Sequence, residues 1–459
     1  MSNRFLEKTD RLGFSLLMAL MAECTLGSSG RWLVIGGVSI RMLLFVLCFV
    51  ATLPALCSRL RQTMRRPHVA LAILFGMDLA AMAVVGWRHG NALAFVKADV
   101  TSFLTLALLP GFLATVNTKK RVERLMDCLF VSACALALVT AITHYALAFL
   151  TDEQTAALSE WLTSTSMGGL FTLTTGVQRV YFRSQMFLQV AMLLGAYRIP
   201  RSSVRVRTAL YLCEGLLLFA CILSYTRGFW LGLAISAGLL LIFDAREIGT
   251  YIRALGVGAV VFCALLLASW AAYGAPKAAV EIVHRFDPNL IVLSSEVRQE
   301  DKATVSPQQS PAPSGQETIS KENRIAVELR EQSLRGAYAE IARHPLLGAG
   351  LGKNLDDIRA DGKIEYTYLD VLMKMGAVGL VLFLLTFFWP VLEYLIAWAR
   401  GLKKWIDAPE RLLLATMTAG YLGVAITSAV NPFLTNPMGI MLLMLLSAAM
   451  QCYLKKEAR

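Results

Sequence analysis

Arg227 stands in the run Ser224-Tyr225-Thr226-Arg227-Gly228-Phe229-Trp230-Leu231-Gly232, a very short link between two apolar stretches. A guanidinium at the edge of a bilayer is costly unless an anion meets it. Its planar fork binds phosphate oxygens in pairs, so the expected ligand is anionic and phosphate-bearing. Glu365, in Glu365-Tyr366-Thr367-Tyr368-Leu369-Asp370, stands at the mouth of another apolar stretch and is the second group able to do chemistry there.

What must position these groups is a stack of helices. The chain has 459 residues, 56% of them hydrophobic and only 17% charged. Apolar runs long enough to cross ~30 Å of hydrocarbon recur along nearly its whole length. About twelve spans are expected, near 12–29, 33–56, 69–86, 92–116, 127–150, 180–197, 208–224, 228–243, 252–273, 366–397, 411–430 and 437–454. Basic clusters such as Arg59/Arg61/Arg65/Arg66, Lys119/Lys120/Arg121/Arg124 and Arg198/Arg201/Arg205/Arg207 fall on one side, whereas the short links opposite carry only Arg31, Arg88, Arg179 and Arg227. The positive-inside rule then puts both termini in the cytoplasm and Arg227 outside. The net charge of +12 follows membrane topology, so no nucleic-acid partner is expected. Nine cysteines lie in or beside apolar segments, with no disulfide framework or zinc spacing. The first apolar run lacks a small-residue cleavage site and reads as a retained helix. The fold class expected is all-α and polytopic. Three parts are foreseen: helices 1–9 over 1–273, a periplasmic loop over 274–365, and helices 10–12 over 366–459.

Within that loop, 296–322 is rich in Ser, Pro, Gln and charge and reads as a mobile excursion. Asn323 can cap a helix through Ile325, Val327, Leu329, Leu334 and Ile341 that stops before Pro345. Arg324, Arg330, Arg335 and Arg343 form either its solvated basic face or a set aimed at phosphate. Pro345-Leu346-Leu347-Gly348-Ala349-Gly350-Leu351-Gly352 makes a glycine-rich turn, but it follows no strand and supports no nucleotide-binding loop. Gly376 and Gly379, three apart, permit a close helix approach. Glu23, Arg41, Asp78, Lys97 and Asp99 are charges in or near the first four spans, expected to pair with other helices. The outer side of a bacterial membrane has no nucleotide-sugar pool, so group transfer there needs an already activated substrate. Lipid-linked diphosphates meet that need.

Taken in order, Thr226-Arg227-Gly228-Phe229-Trp230-Leu231, His344-Pro345-Leu346-Leu347-Gly348-Ala349-Gly350, and Tyr366-Thr367-Tyr368-Leu369 followed by Gly376-Ala377-Val378-Gly379 resemble the O-antigen ligase and O-antigen polymerase superfamily. The resemblance spans roughly Arg183 to Leu384. It implies a GT-C-like membrane glycosyltransferase that moves a glycan from undecaprenyl diphosphate to a sugar hydroxyl, with lipid A–core as the ligase acceptor. It also implies a departure. The ligase pattern has a histidine where this chain has Glu365. Either Glu365 acts as general base in its place, or His344 folds back to do so. Arg227 and Arg183, with Arg285 and Arg330, are the candidates for holding the diphosphate, and Tyr366 for binding substrate. Arg183 can equally be a snorkelling interfacial residue. Asp356, Asp357 and Asp361 read as a solvated helix face, so a metal-independent reaction without cofactor is expected. A transporter is the rival class, but no internal repeat or pair of matched broken helices supports it.

Overall fold

The computed structural model describes residues 3–28, 30–173, 176–243, 248–286, 315–355, 364–402 and 406–454. Its first part runs α1 (Asn3–Leu26), β1 (Val34–Ile35), β2 (Val38–Ser39), α2 (Ile40–Ser58), α3 (Leu60–Met64), α4 (Pro67–Arg88), α5 (Leu93–Phe103), α6 (Leu109–Thr115) and α7 (Lys119–Ala146). Next come α8 (Asp152–Ser164), β3 (Gly168–Thr172), β4 (Gln178–Phe182), α9 (Met186–Arg198), α10 (Val204–Ile222), α11 (Arg227–Phe243), α12 (Ile248–Tyr273) and α13 (Lys277–Phe286). The last part comprises α14 (Gly315–Arg343), α15 (Thr367–Ala399), α16 (Ala408–Thr427) and α17 (Pro437–Tyr453).

Every expected span overlaps a helix. Among the described residues, six segments are long and apolar enough to cross a membrane: Ile40–Ser58, Pro67–Arg88, Leu93–Thr115, Lys119–Ala146, Tyr251–Tyr273 and Thr367–Ala399. The protein is a mostly helical, multi-pass membrane protein. Local chemistry marks several starts. Thr151 and Gln154 form a reciprocal capping box on α8. The Asn436 side chain accepts the Met438 and Gly439 amides at 3.0 and 3.1 Å ahead of α17, whose first residue is Pro437.

The all-α expectation needs correction at two hairpins. Gly36 and Gly37 both have positive φ (+57° and +82°) between β1 and β2, the geometry of a two-residue type I′ turn, so helix replaces strand only at Ile40. β3 and β4 pair from Gly168↔Phe182 to Thr172↔Gln178, and the helix expected from 180 begins at Met186. Val180 and Phe182 turn inward, which puts Arg179 and Tyr181 on the opposite face of β4. A third correction concerns α14, which begins at Gly315 rather than after Asn323. Gln, Glu and Lys in 315–322 are good helix formers, and composition alone undervalued them. The rest of the expected excursion, 296–314, lies outside the described residues, as do Asp356, Asp357 and Asp361.

Two crossings place the ends that matter. α11 meets α16 where Gly232 and Gly423 face each other; a Cβ on either would stand 2.7 or 2.6 Å from the other's carbonyl oxygen. Small residues allow that approach. The Thr427 hydroxyl seals it by donating to the carbonyls of Gly423 and Gly228, at 2.8 and 3.2 Å.

The second crossing is inside α15. Gly376 leaves the helix (φ +66°, ψ −169°), and the turn 345–352 enters the gap. Ala377 and Val378 donate to Pro345 and Leu346 at 2.9 and 3.2 Å, while Ala349 and Gly350 donate to Met373 and Lys374 at 2.9 and 3.0 Å. Four backbone groups flanking the break are thus re-paired within protein. The close approach expected at Gly376 is therefore made by a turn, not by a helix. A Cβ there would collide with the Leu346 carbonyl oxygen. Gly376→Ala is expected to cost about 2–4 kcal/mol, read as a lower melting temperature in detergent. An unchanged melt would show that the break is dispensable.

Of the early charges, Arg41 and Glu23 form a buried pair at 2.7 Å, and Arg41 also donates to the Ser28 carbonyl. Asp99 pairs with Lys374 of α15 at 3.1 Å and accepts the Gly352 amide at 2.8 Å; Lys374 also meets Asp370 at 2.9 Å. Lys97 departs from expectation. It is exposed, and its side chain has no ion-pair or hydrogen-bond partner among the described residues, because it sits on the face of α5 away from Asp99. Asp78 Oδ2 has no hydrogen-bond partner among them either, and lies against Gly379.

Candidate functional site

Arg227 is the first residue of α11, reached through a strained turn. Tyr225 there has φ +47°, a conformation that side chains with a Cβ rarely take and that tends to mark functional sites. Its ring is buried, and burial, with Glu281 nearby, pushes the phenol's pKa up. Thr226 follows, and its hydroxyl accepts a 2.8 Å hydrogen bond from Arg179 of β4.

Arg179 is the centre of the arrangement. Its guanidinium lies over Phe171 and Tyr181, 5.6 and 5.2 Å from the ring centroids. Its Nε is buried without a hydrogen-bond partner among the described residues. Burial pulls its pKa down to about 10; the neighbouring guanidinium groups of Arg285 and Arg330 add repulsion, which Tyr181 and Glu365 only partly offset. Arg183, exposed in the turn after β4, acts with Arg179 on the Tyr181 phenol, whose pKa burial nevertheless raises.

Three elements converge on this point. α13 supplies Arg285, held by the fully buried Glu281 at 2.9 Å. α14 supplies Arg330, which reaches Glu365 at 2.8 Å just before α15. Arg330, Ser333, Ile364, Glu365 and Tyr366 line a shallow concavity there. The Arg227 end joins through Asn431: its carbonyl accepts the Thr367 hydroxyl at 3.2 Å, and its side chain lies against Gly228. The structure therefore brings Arg285, Arg330 and Glu365 around Arg179, with Arg183 near the Tyr181 phenol and Arg227 one residue beyond Thr226. Arg227 itself is exposed, with no ion pair or side-chain hydrogen bond among the described residues.

His344 is elsewhere. It follows α14, and its exposed ring lies 5.5 Å from that of His89. Pro345 bonds Ala377, ten residues into α15, so His344 stands roughly 15 Å along the helix axis from Glu365. Among the described residues nothing turns it back toward Arg179. Tyr366, the expected substrate contact, is half-buried and packs with Ala337, Ile364 and Met373 in the small apolar cluster that fastens α14 to α15.

Two functional-looking residues escaped the sequence. Arg179 read as an isolated loop cation, although Val180/Phe182 alternation against Arg179/Tyr181 was a period-two signal. Lys374 carried its own signal, a lysine within an apolar run, which is expensive unless paired.

A search of curated proteins returned no match to the chain. A protein-family comparison does return one, and it covers the segment that supplies Arg227, Arg285, Arg330, His344, Glu365 and Gly376. Residues 215–384, from within α10 to within α15, match the family model described as O-Antigen ligase, which identifies this stretch of the chain as that of the O-antigen ligase superfamily.

Proposed function

We propose that the protein is an O-antigen ligase that transfers a glycan from undecaprenyl diphosphate to a sugar hydroxyl of lipid A–core. The carrying observation is the arginine cluster. Arg179 is half-buried beside Arg285 and Arg330, and these three cations face only two carboxylates, Glu281 and Glu365. Such an arrangement is short of negative charge, and a diphosphate supplies it.

In the reaction, the acceptor oxygen bonds to the donor's anomeric carbon as the bond from that carbon to the diphosphate oxygen breaks. The acceptor proton passes to the Glu365 carboxylate, and the electron pair leaves on undecaprenyl diphosphate. Guanidinium groups fixed where that charge develops lower the barrier. Arg330 links the two halves: a diphosphate that engages it competes with Glu365, loosening the carboxylate as the donor docks. No cofactor or metal enters this scheme. Charge asymmetry between the links supports a bacterial inner-membrane location with cytoplasmic termini and a periplasmic site.

The test is reconstitution of purified protein with undecaprenyl-diphosphate-linked glycan, offering lipid A–core and a second lipid-linked glycan as separate acceptors, with and without chelator. Transfer to lipid A–core, undiminished by chelator, is expected. Elongation of the lipid-linked glycan alone would make the protein a polymerase. No transfer by folded protein would favour a transporter. In the same assay Arg227→Ala is expected to lose activity on the order of 10²-fold, and normal turnover would remove Arg227 from the diphosphate clamp.

A further inference from the structure

At the far ends of α4 and α15 from the Arg330–Glu365 pair lies a second cationic cavity, of about 310 Å³. α15 has 33 residues, so roughly 50 Å of helix separates the two places, more than a bilayer's hydrocarbon thickness. The volume is at the lower end of ligand pockets. Arg66, just before α4, and Arg400, at the end of α15, supply its charge; His68, Glu393, Ile396 and Gln451 complete much of its wall.

Three of its polar atoms have no hydrogen-bond partner among the described residues. Arg66 Nε is buried without a hydrogen-bond partner among the described residues. Burial lowers the Arg66 pKa, only partly offset by Cys452 and Glu393. Gln451 and His68 are both 6% exposed, and among the described residues neither Gln451 Oε1 nor His68 Nε2 has a hydrogen-bond partner. His68 Nε2 is 3.3 Å from Glu393 Oε2 but poorly aligned with it. Glu393 Oε1 is already engaged by the Trp389 indole at 2.9 Å. Donors and an acceptor left open in one apolar-walled cavity call for a ligand with both an anionic group and a hydroxyl or ammonium donor. Buried polar groups rarely remain unpaired.

We infer that this cavity is a binding site for the phosphodiester head of an anionic glycerophospholipid, gripped by Arg66 and Arg400, with a head-group hydroxyl donating to Gln451 Oε1. The site opens among the ends of α4, α15 and α17, on the side of the bundle that carries the basic clusters. Lipid rather than free phosphate is favoured by the apolar wall and by that position, since basic pockets between helix ends suit anionic head groups. Neither the site nor its test depends on glycan transfer.

The experiment is native mass spectrometry of delipidated full-length protein titrated with short-chain phosphatidylglycerol, in parallel with short-chain phosphatidylethanolamine and inorganic phosphate. Saturable phosphatidylglycerol binding is expected, weakened at least tenfold in the Arg66→Gln/Arg400→Gln variant and not displaced by inorganic phosphate in tenfold excess. Ile396→Trp, which fills the cavity and keeps both cations, should weaken binding similarly and guards against misfolding of the double variant. Undiminished binding in both variants would overturn the site. Displacement by inorganic phosphate would overturn the lipid assignment, and equal binding of phosphatidylethanolamine would overturn the preference for an anionic lipid.

Discussion

Arg179→Met is expected to reduce glycan transfer on the order of 10²–10³-fold while the protein melts no lower than the parent. The two halves of that result have one cause. A charged Arg179 is held at a pKa of about 10, below the ordinary guanidinium range, chiefly because burial strips its water. Its proton is bound less tightly folded than unfolded. The cost to stability is therefore fully present below about pH 10 and is relieved as pH rises from there toward the ordinary guanidinium range. At neutral pH it is on the order of 1–3 kcal/mol after discounting for screening. Methionine keeps the apolar stem against Phe171 and Tyr181 and removes the charge, at the loss of the hydrogen bond to Thr226. Calorimetric or fluorescence melting, paired with the transfer assay, reads both quantities. A variant that melts well below the parent would show that Arg179 is a structural residue, and retained turnover would take it out of the diphosphate site.

Glu365→Gln carries the second large expectation, a loss in kcat on the order of 10²–10⁴-fold. The amide matches the carboxylate in shape but accepts no proton from the acceptor hydroxyl, and Arg330 loses its charged partner. His344→Ala, altering a side chain some 15 Å away along α15, should change kcat only a few-fold. The reverse ranking would move the base to the His344–His89 pair. Equal, severe losses in both would mean that α14 and the turn 345–352 move during turnover.

Much of this was readable in the chain. Apolar runs announced the helices because a membrane leaves the backbone almost no other option. Arg227 and Glu365 stood out as charges at the mouths of such runs. Arg179 did not, because a five-residue strand in a link gives a weak period-two pattern, and the pairing of β3 with β4 is what aims it. Gly376 read as a helix-packing glycine. Its left-handed backbone comes from the Leu346 and Pro345 carbonyls, and no local pattern encodes their arrival. Separating His344 from Glu365 likewise depended on where the turn 345–352 docks.

The Asp99–Lys374 pair has a consequence for how the protein is made. Its partners are 275 residues apart in the chain. At ~5–20 residues per second of synthesis, Asp99 waits about 14–55 s before Lys374 exists. Through that interval the half-made chain carries an acidic group whose counter-ion is still on the messenger, and the Gly352 amide that also binds Asp99 arrives scarcely sooner. Insertion thus runs ahead of locking. The ribosome must deliver α15 before the opening helices reach their final register, so the last quarter of the polypeptide fastens the first.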